Sequence, residues 1–211
     1  MMSQLIYLSR HGTVKINKSG VALNDPHAYD LLEEGVQECR DLGSYLRTLN
    51  IQNPFFVNSG LARTVTSTQL VADSMGIEII PTRNYHSCAA LEEDVPWEGL
   101  TNKQKEEYHC GRHRKKPIKF ALGLGAEVHQ ELYQIANDHP EHNLIAILHG
   151  GINLGLMTYI TGKLKFMDNC GLYVLEKVED KFRVLEDYIS PEQMRKAMEQ
   201  AKQIRAEMIV R

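Results

Sequence analysis

Two short segments of the chain end an apolar run in a histidine followed by glycine: Leu8-Ser9-Arg10-His11-Gly12-Thr13 and Ile147-Leu148-His149-Gly150-Gly151. Histidine acts as a nucleophile when it is neutral, with one ring nitrogen open and the other held as a donor, and backbone carbonyls can hold it so. Gly12 offers the backbone freedom for that arrangement. Arg10 beside His11, and Arg63 in Ser59-Gly60-Leu61-Ala62-Arg63, carry forked donors matched to phosphate oxygens. Gly150 and Gly151 let the backbone approach an anion closely, and backbone donors at a helix start add to the grip. Fixed positive groups of this kind stabilise a phosphoryl group as it moves. The transfer also needs a carboxylic acid to protonate the leaving oxygen and then activate water. Leu91-Glu92-Glu93-Asp94 supplies candidates.

These residues must be brought together by the elements around them. Gln4 to Ser9 reads as a short buried strand, and Glu33 to Leu49 as a helix in which Val36, Cys39, Leu42 and Leu46 recur at three- and four-residue steps. Phe55 to Asn58 reads as a second strand and Ala62 to Met75 as a helix stopped by Gly76, with a third strand predicted at Ile77 to Ile80. Between Asn84 and Gly125 the rhythm breaks into Pro, Gly, His and charged residues, which predicts a cap over the active face. Helix Ala126 to Asp138, strand Leu144 to Leu148 and the apolar helix Ile152 to Ile160 follow. Strands at Leu172 to Glu176 and Phe182 to Asp187 form a hairpin around Glu179-Asp180. A capping box at Ser190 to Gln193 opens a last helix. The alternation predicts an α/β fold: a three-layer α/β/α sandwich with a mostly parallel sheet, one domain over 1–211 with a cap insertion at about 84–125. In such sheets ligands bind beyond the carboxyl ends of the strands, where His11, the Ser59 to Arg63 turn and His149 all fall.

Composition narrows the function classes. With 24 Lys and Arg against 27 Asp and Glu, and a net charge of −3, no global basic field would hold nucleic acid. No run approaches the ~18 apolar residues of a membrane span, and the start of the chain lacks a basic region followed by a long apolar stretch. Cys39, Cys88, Cys110 and Cys170 are scattered without paired spacing, which suits reduced thiols and a cytoplasmic protein. His109-Cys110-Gly111-Arg112-His113 has no matching second pair to complete a zinc site, so no metal is expected. The run Arg112 to Lys116 reads equally as a solvated face or as a guide for anionic ligands.

The ordered set Arg10-His11-Gly12, Ser59-Gly60-Leu61-Ala62-Arg63, Leu91-Glu92-Glu93 followed by Trp97-Glu98-Gly99, and His149-Gly150-Gly151 resembles the histidine phosphatase superfamily, the phosphoglycerate mutase-like group. Asn17 stands where that family has a phosphate-contacting asparagine, and Asp168-Asn169-Cys170 is similar to its late Asn-Cys or Asn-Ser turn. The resemblance implies a phosphoglycerate mutase-like fold and a phosphohistidine mechanism without cofactor or metal. His11 would attack phosphorus, while Arg10, Arg63, Asn17, Gly150 and His149 surround the phosphoryl oxygens. Alignment of the Leu-x-Glu pattern makes Glu93 the acid and base, with Glu92 adjacent to it.

Thr13 and Val14 depart from the family's acidic or glutamine residue and threonine. The spacing from Glu93 to Trp97 is short, and the helix from Ala126 lacks the Glu-Ser pair and later arginine of mutases. The expected function is therefore a phosphomonoesterase acting on a small phosphorylated substrate. A phosphoglycerate mutase and a catalytically silent phosphate-recognising module are the alternatives, and the sequence leaves the oligomeric state open.

Overall fold

The structure, a computed structural model, describes residues 3–15, 30–91 and 117–209. Chain order is β1 (Leu5–Arg10), α1 (Glu33–Thr48), β2 (Pro54–Asn58), α2 (Ala62–Met75), β3 (Tyr85–Ser87), a 3₁₀ turn (Ala89–Leu91), α3 (Pro117–Asp138), β4 (Asn143–Leu148), α4 (Gly150–Thr161), β5 (Leu172–Val178), β6 (Lys181–Ile189) and α5 (Pro191–Ile209). The strands form one six-stranded sheet in the order β3-β2-β4-β1-β5-β6. Pairing is parallel from β3 through β1 and antiparallel at β1–β5 and β5–β6.

Alternation along the central strands divides the core between two faces. Ile6, Leu8, Phe55, Val57, Leu144, Ala146 and Leu148 face Val128, Leu132 and Ile135 of α3 and Ile152, Leu156 and Met157 of α4. Tyr7, Phe56, Ile145 and Ile147 face Cys39, Leu42 and Leu46 of α1, Val71 and Met75 of α2, and Met194 of α5. The sheet therefore lies between two helical layers, as the sequence predicts. Among the described residues no helix is long and apolar enough to cross a membrane.

Helix stops follow their local chemistry. Gly76 and Gly162 close α2 and α4 in the left-handed region, with φ of 75° and 69°, where glycine carries no Cβ penalty. The hairpin turn falls at Glu179, φ 52°, where the sequence places it.

Most bounds fall within two residues of the expectation, and two elements depart from it further. Ile77 to Ile80 is no strand. The Ile80 N–H donates to Asn84 Oδ1, and Asn84 Nδ2 donates to the Glu78 carbonyl. That side chain takes backbone groups a ladder would use, so the edge pairing passes to Tyr85–Ser87, inside the segment read as cap. The helix predicted from Ala126 begins at Pro117 and runs through Gly123 and Gly125. Gly125 marks a helix crossing, since a Cβ there would lie 2.1 Å from the Gly155 carbonyl oxygen. Asn17, Glu92, Glu93, Trp97 and the His109 to Lys116 run lie outside the described residues.

Candidate active site

The carboxyl ends of β1, β2 and β4 lie side by side, and the catalytic candidates leave from them. The ladder runs one step past β1, with the His11 N–H donating to the Leu148 carbonyl at 3.0 Å, and this sets His11 next to His149. The ring centroids are 5.5 Å apart at 64°. Both rings are buried, His11 at 2% exposure and His149 at 0%.

His11 Nδ1 lies 2.8 Å from the Gly12 carbonyl oxygen. A carbonyl only accepts, so Nδ1 carries the proton and Nε2 keeps its lone pair. Burial is the main force holding His11 neutral, and the Arg10 charge adds to it. The Gly12 bond opposes them and Arg63 contributes further, so that the pKa falls to about 3. His149 is depressed to about 2, by burial first and then by Arg63, His11 and Arg10. Both rings are therefore neutral bases at neutral pH.

The backbone that presents His11 is tied down carbonyl by carbonyl. Asn153 Nδ2 donates to Ser9 O at 3.0 Å, the Cys170 N–H to Arg10 O at 3.0 Å, and Asn169 Nδ2 to His11 O at 2.7 Å. The next carbonyl, that of Gly12, takes the His11 ring. The Gly12 N–H donates to Ser67 Oγ, whose own proton goes to the Arg63 carbonyl, joining the loop to the first turns of α2. Glu38 of α1 accepts both the Thr13 N–H at 2.8 Å and the Thr13 hydroxyl at 3.0 Å. Gly12 is glycine for closeness rather than for an unusual φ: a Cβ there would meet Gly35 O at 2.4 Å and Cys39 Sγ at 2.8 Å.

Arg10 lies over Gly150, where a Cβ would come within 3.2 Å of the guanidinium carbon, and its Nη1 reaches the Met167 carbonyl at 3.4 Å. Glycine at that position lets the cation sit on the start of α4, where His149 holds the N-cap position without a side-chain cap bond. Arg63 stands in the first turn of α2 and acts on both histidines. The structure thus brings together Arg10, His11, Arg63, His149 and Gly150. Asn17, Glu92 and Glu93 fall among the residues it does not describe.

Sequence reasoning missed Glu38, Ser67 and Asn153. Asn153 carried a signal, a polar residue at 0% exposure in an otherwise apolar stretch of α4. Among the described residues no group of His, Cys, Asp and Glu could hold a metal ion.

A three-layer α/β protein with two neutral, buried histidines and two arginines at the carboxyl edge of its parallel strands is the class that fold and site define. Residues 6–188 match the histidine phosphatase superfamily (branch 1), and the chain belongs to that family. Solved structures share the fold at low identity. Phosphoglycerate mutase from Bacillus anthracis str. Sterne has a TM-score of 0.72 and 14% identity, covering 92% of this chain and 96% of its own. A phosphoserine phosphatase mutant from Entamoeba histolytica, in complex with phosphoserine, has a TM-score of 0.68 and 14% identity, covering 90% and 98%. A mycobacterial glucosyl-3-phosphoglycerate phosphatase complexed with VO3 has a TM-score of 0.65 and 16% identity, covering 87% and 98%. No curated protein matches the sequence. Family membership supports phosphatase or mutase activity.

Proposed function

We propose that this protein is a cytoplasmic phosphomonoester hydrolase that passes the phosphoryl group of a small metabolite to His11 and then to water, without a cofactor. The observation that carries this reading is the His11 ring: Nδ1–H is bonded to the Gly12 carbonyl, the ring feels the charges of Arg10 and Arg63, and it lies against the His149 ring. A neutral imidazole with its lone pair in a cationic pocket is the nucleophile that phosphoryl transfer requires. Nε2 attacks phosphorus as the ester P–O bond breaks, and Arg10 and Arg63 hold charge on the equatorial oxygens. Glu93, with Glu92 beside it, is the carboxylic acid that protonates the departing alkoxide. As carboxylate it then takes a proton from the water that attacks phosphohistidine. The carboxylate assignment rests on the Leu-x-Glu pattern alone.

The test is release of phosphate from p-nitrophenyl phosphate and from a metabolite panel. His11→Ala should reduce turnover to background, and equal activity in the two proteins would remove His11 as nucleophile. Arg63→Ala should lower kcat by about 100- to 1,000-fold, the usual cost of losing one transition-state donor. The sequence of α3 favours hydrolysis over mutation of the phosphate position, because it lacks the Glu-Ser pair and the later arginine of mutases. Efficient conversion of 3-phosphoglycerate in the presence of a bisphosphoglycerate primer would reverse that preference.

A further inference from the structure

We propose that Ser59 and Thr64 form a hydroxyl relay that fixes the proton of His149 on Nε2, and that the site therefore takes a phosphoryl group as its monoanion. This rests on the reading of His149 as a residue facing the phosphoryl group, and deepens it.

Several contacts meet at Ser59. Its Oγ lies 2.7 Å from His149 Nε2, 3.0 Å from Thr64 Oγ1 and 3.4 Å from the Leu61 N–H. Thr64 Oγ1 in turn lies 2.8 Å from the Leu61 carbonyl oxygen. That carbonyl has no proton, so Thr64 is the donor there. A hydroxyl has a single proton to give, so the proton between Ser59 and Thr64 comes from Ser59. Ser59 then has none left for His149, and the 2.7 Å contact is a hydrogen bond only if Nε2–H donates to Ser59. In either reverse arrangement Ser59 gives its proton to Nε2 and one close pair of oxygens is left without a proton: Thr64 and Leu61 at 2.8 Å, where the carbonyl already accepts the Thr64 and Val65 N–H groups, or Ser59 and Thr64 at 3.0 Å. Ser59, Thr64 and His149 are each at 0% exposure, so bulk water does not supply a substitute donor.

A neutral imidazole protonated at Nε2 presents Nδ1 as an acceptor. If His149 hydrogen-bonds a phosphoryl oxygen it does so through Nδ1, because Nε2 serves Ser59. An acceptor repels an ionised oxygen but bonds a P–OH. Arg10 and Arg63 are matched to the two remaining oxygens, which share the single charge of the monoanion. A second proton on His149 would also admit the dianion. The groups that face this ring oppose it: Arg63 from α2, Arg10 from the end of β1 and His11 from the loop after it, together with burial, all depress its basicity.

The direct test is the 15N spectrum of the His149 imidazole in histidine-labelled protein at neutral pH. The wild type should show Nε2 protonated and Nδ1 unprotonated. Thr64→Val removes the acceptor of the Ser59 proton, so Ser59 turns to Nε2 and the tautomer should reverse. Ser59→Ala, which leaves Nε2–H without its acceptor, should do the same, and Thr64→Ser should retain the wild-type tautomer. A wild type protonated at Nδ1, or a folded Thr64→Val or Ser59→Ala protein with the wild-type pattern, overturns the relay.

The second readout is kcat/KM for p-nitrophenyl phosphate against pH. A phosphomonoester loses its second proton near pH ~6. Above that ionisation the Thr64→Val to wild-type ratio should rise about tenfold per pH unit, as the monoanion disappears by that factor. A ratio independent of pH overturns the selection of the monoanion. Failure of the proposed hydrolase is read separately, in phosphate release that survives His11→Ala.

Discussion

His11 and His149 are the same side chain with different hydrogen-bond partners, and the partners decide what each ring offers. His11 gives its Nδ1 proton to the Gly12 carbonyl, whereas His149 meets the Ser59 hydroxyl at Nε2. Both are held neutral mainly by burial, and this ties stability to pH. An unfolded histidine titrates near pH ~6.5. Above that value each ring is neutral in both states and the stability is fully present. As pH falls below it the unfolded chain binds protons that the native protein refuses, so stability declines from about pH 6.5 down towards the folded values of about 3 and 2. Each ring contributes up to about 1.4 kcal/mol per pH unit in that window. Calorimetric melting between pH ~7 and ~4.5, inside that window, should therefore fall less steeply in His11→Asn than in the wild type. Parallel slopes would show that the ring is charged in the native state. These candidate histidines and arginines were legible in the sequence because each stands in a short motif whose residue types themselves suggest the chemistry. Glu38, Ser67 and Asn153 were not, because each acts on the backbone of a segment far away in the chain and carries no chemistry of its own.

The contact between α1 and the loop after β1 is set by two glycines. A Cβ on Gly35 would lie 2.1 Å from the Thr13 carbonyl oxygen and 2.7 Å from its nitrogen, and both are backbone atoms that cannot swing aside. Gly35→Ala should therefore lift α1, loosen the grip of Glu38 on Thr13 and cost about 1–3 kcal/mol by overpacking. Urea denaturation should show the loss, and phosphate release should fall with it, since the displaced loop carries His11. Gly123→Ala is the contrasting case. A Cβ there meets nothing within 4 Å, and within α3 the change should stabilise by about 0.5–1 kcal/mol. A Gly35→Ala protein as stable and active as the wild type would refute the close-contact account.

The same distinction explains which elements were legible. Strands β2, β4 and β5 and helix α2 announce themselves by apolar runs and a glycine stop. Gly123 and Gly125, by contrast, look like the end of a loop and in fact lie within a helix, with Gly125 at its crossing with Gly155. Ile77 to Ile80 has strand composition, yet its backbone partner is the side chain of Asn84, which no periodicity reveals.

One sheet serves two cores, and the site hangs from its edge. Neighbouring residues on a strand face opposite helical layers, Ile6 and Leu8 one way and Tyr7 the other, Leu144 and Ala146 one way and Ile145 the other. The long apolar runs that result are what made the parallel sheet readable, since both faces are buried. Shared strands also couple the layers energetically: a strand that loses its packing on one face loses the alignment that its other face and its carboxyl end require. Leu132 of α3 and Leu46 of α1, each at 0% exposure on opposite sides of the sheet, are the probes. Truncation of either to alanine should cost about 2–5 kcal/mol. Both variants should unfold in urea through one transition, with loss of the proposed phosphate release superimposed on loss of far-ultraviolet ellipticity. If activity in Leu46→Ala disappears at a lower urea concentration than the helical signal while Leu132→Ala keeps the two together, the α1 side melts on its own and the coupling through the sheet is wrong.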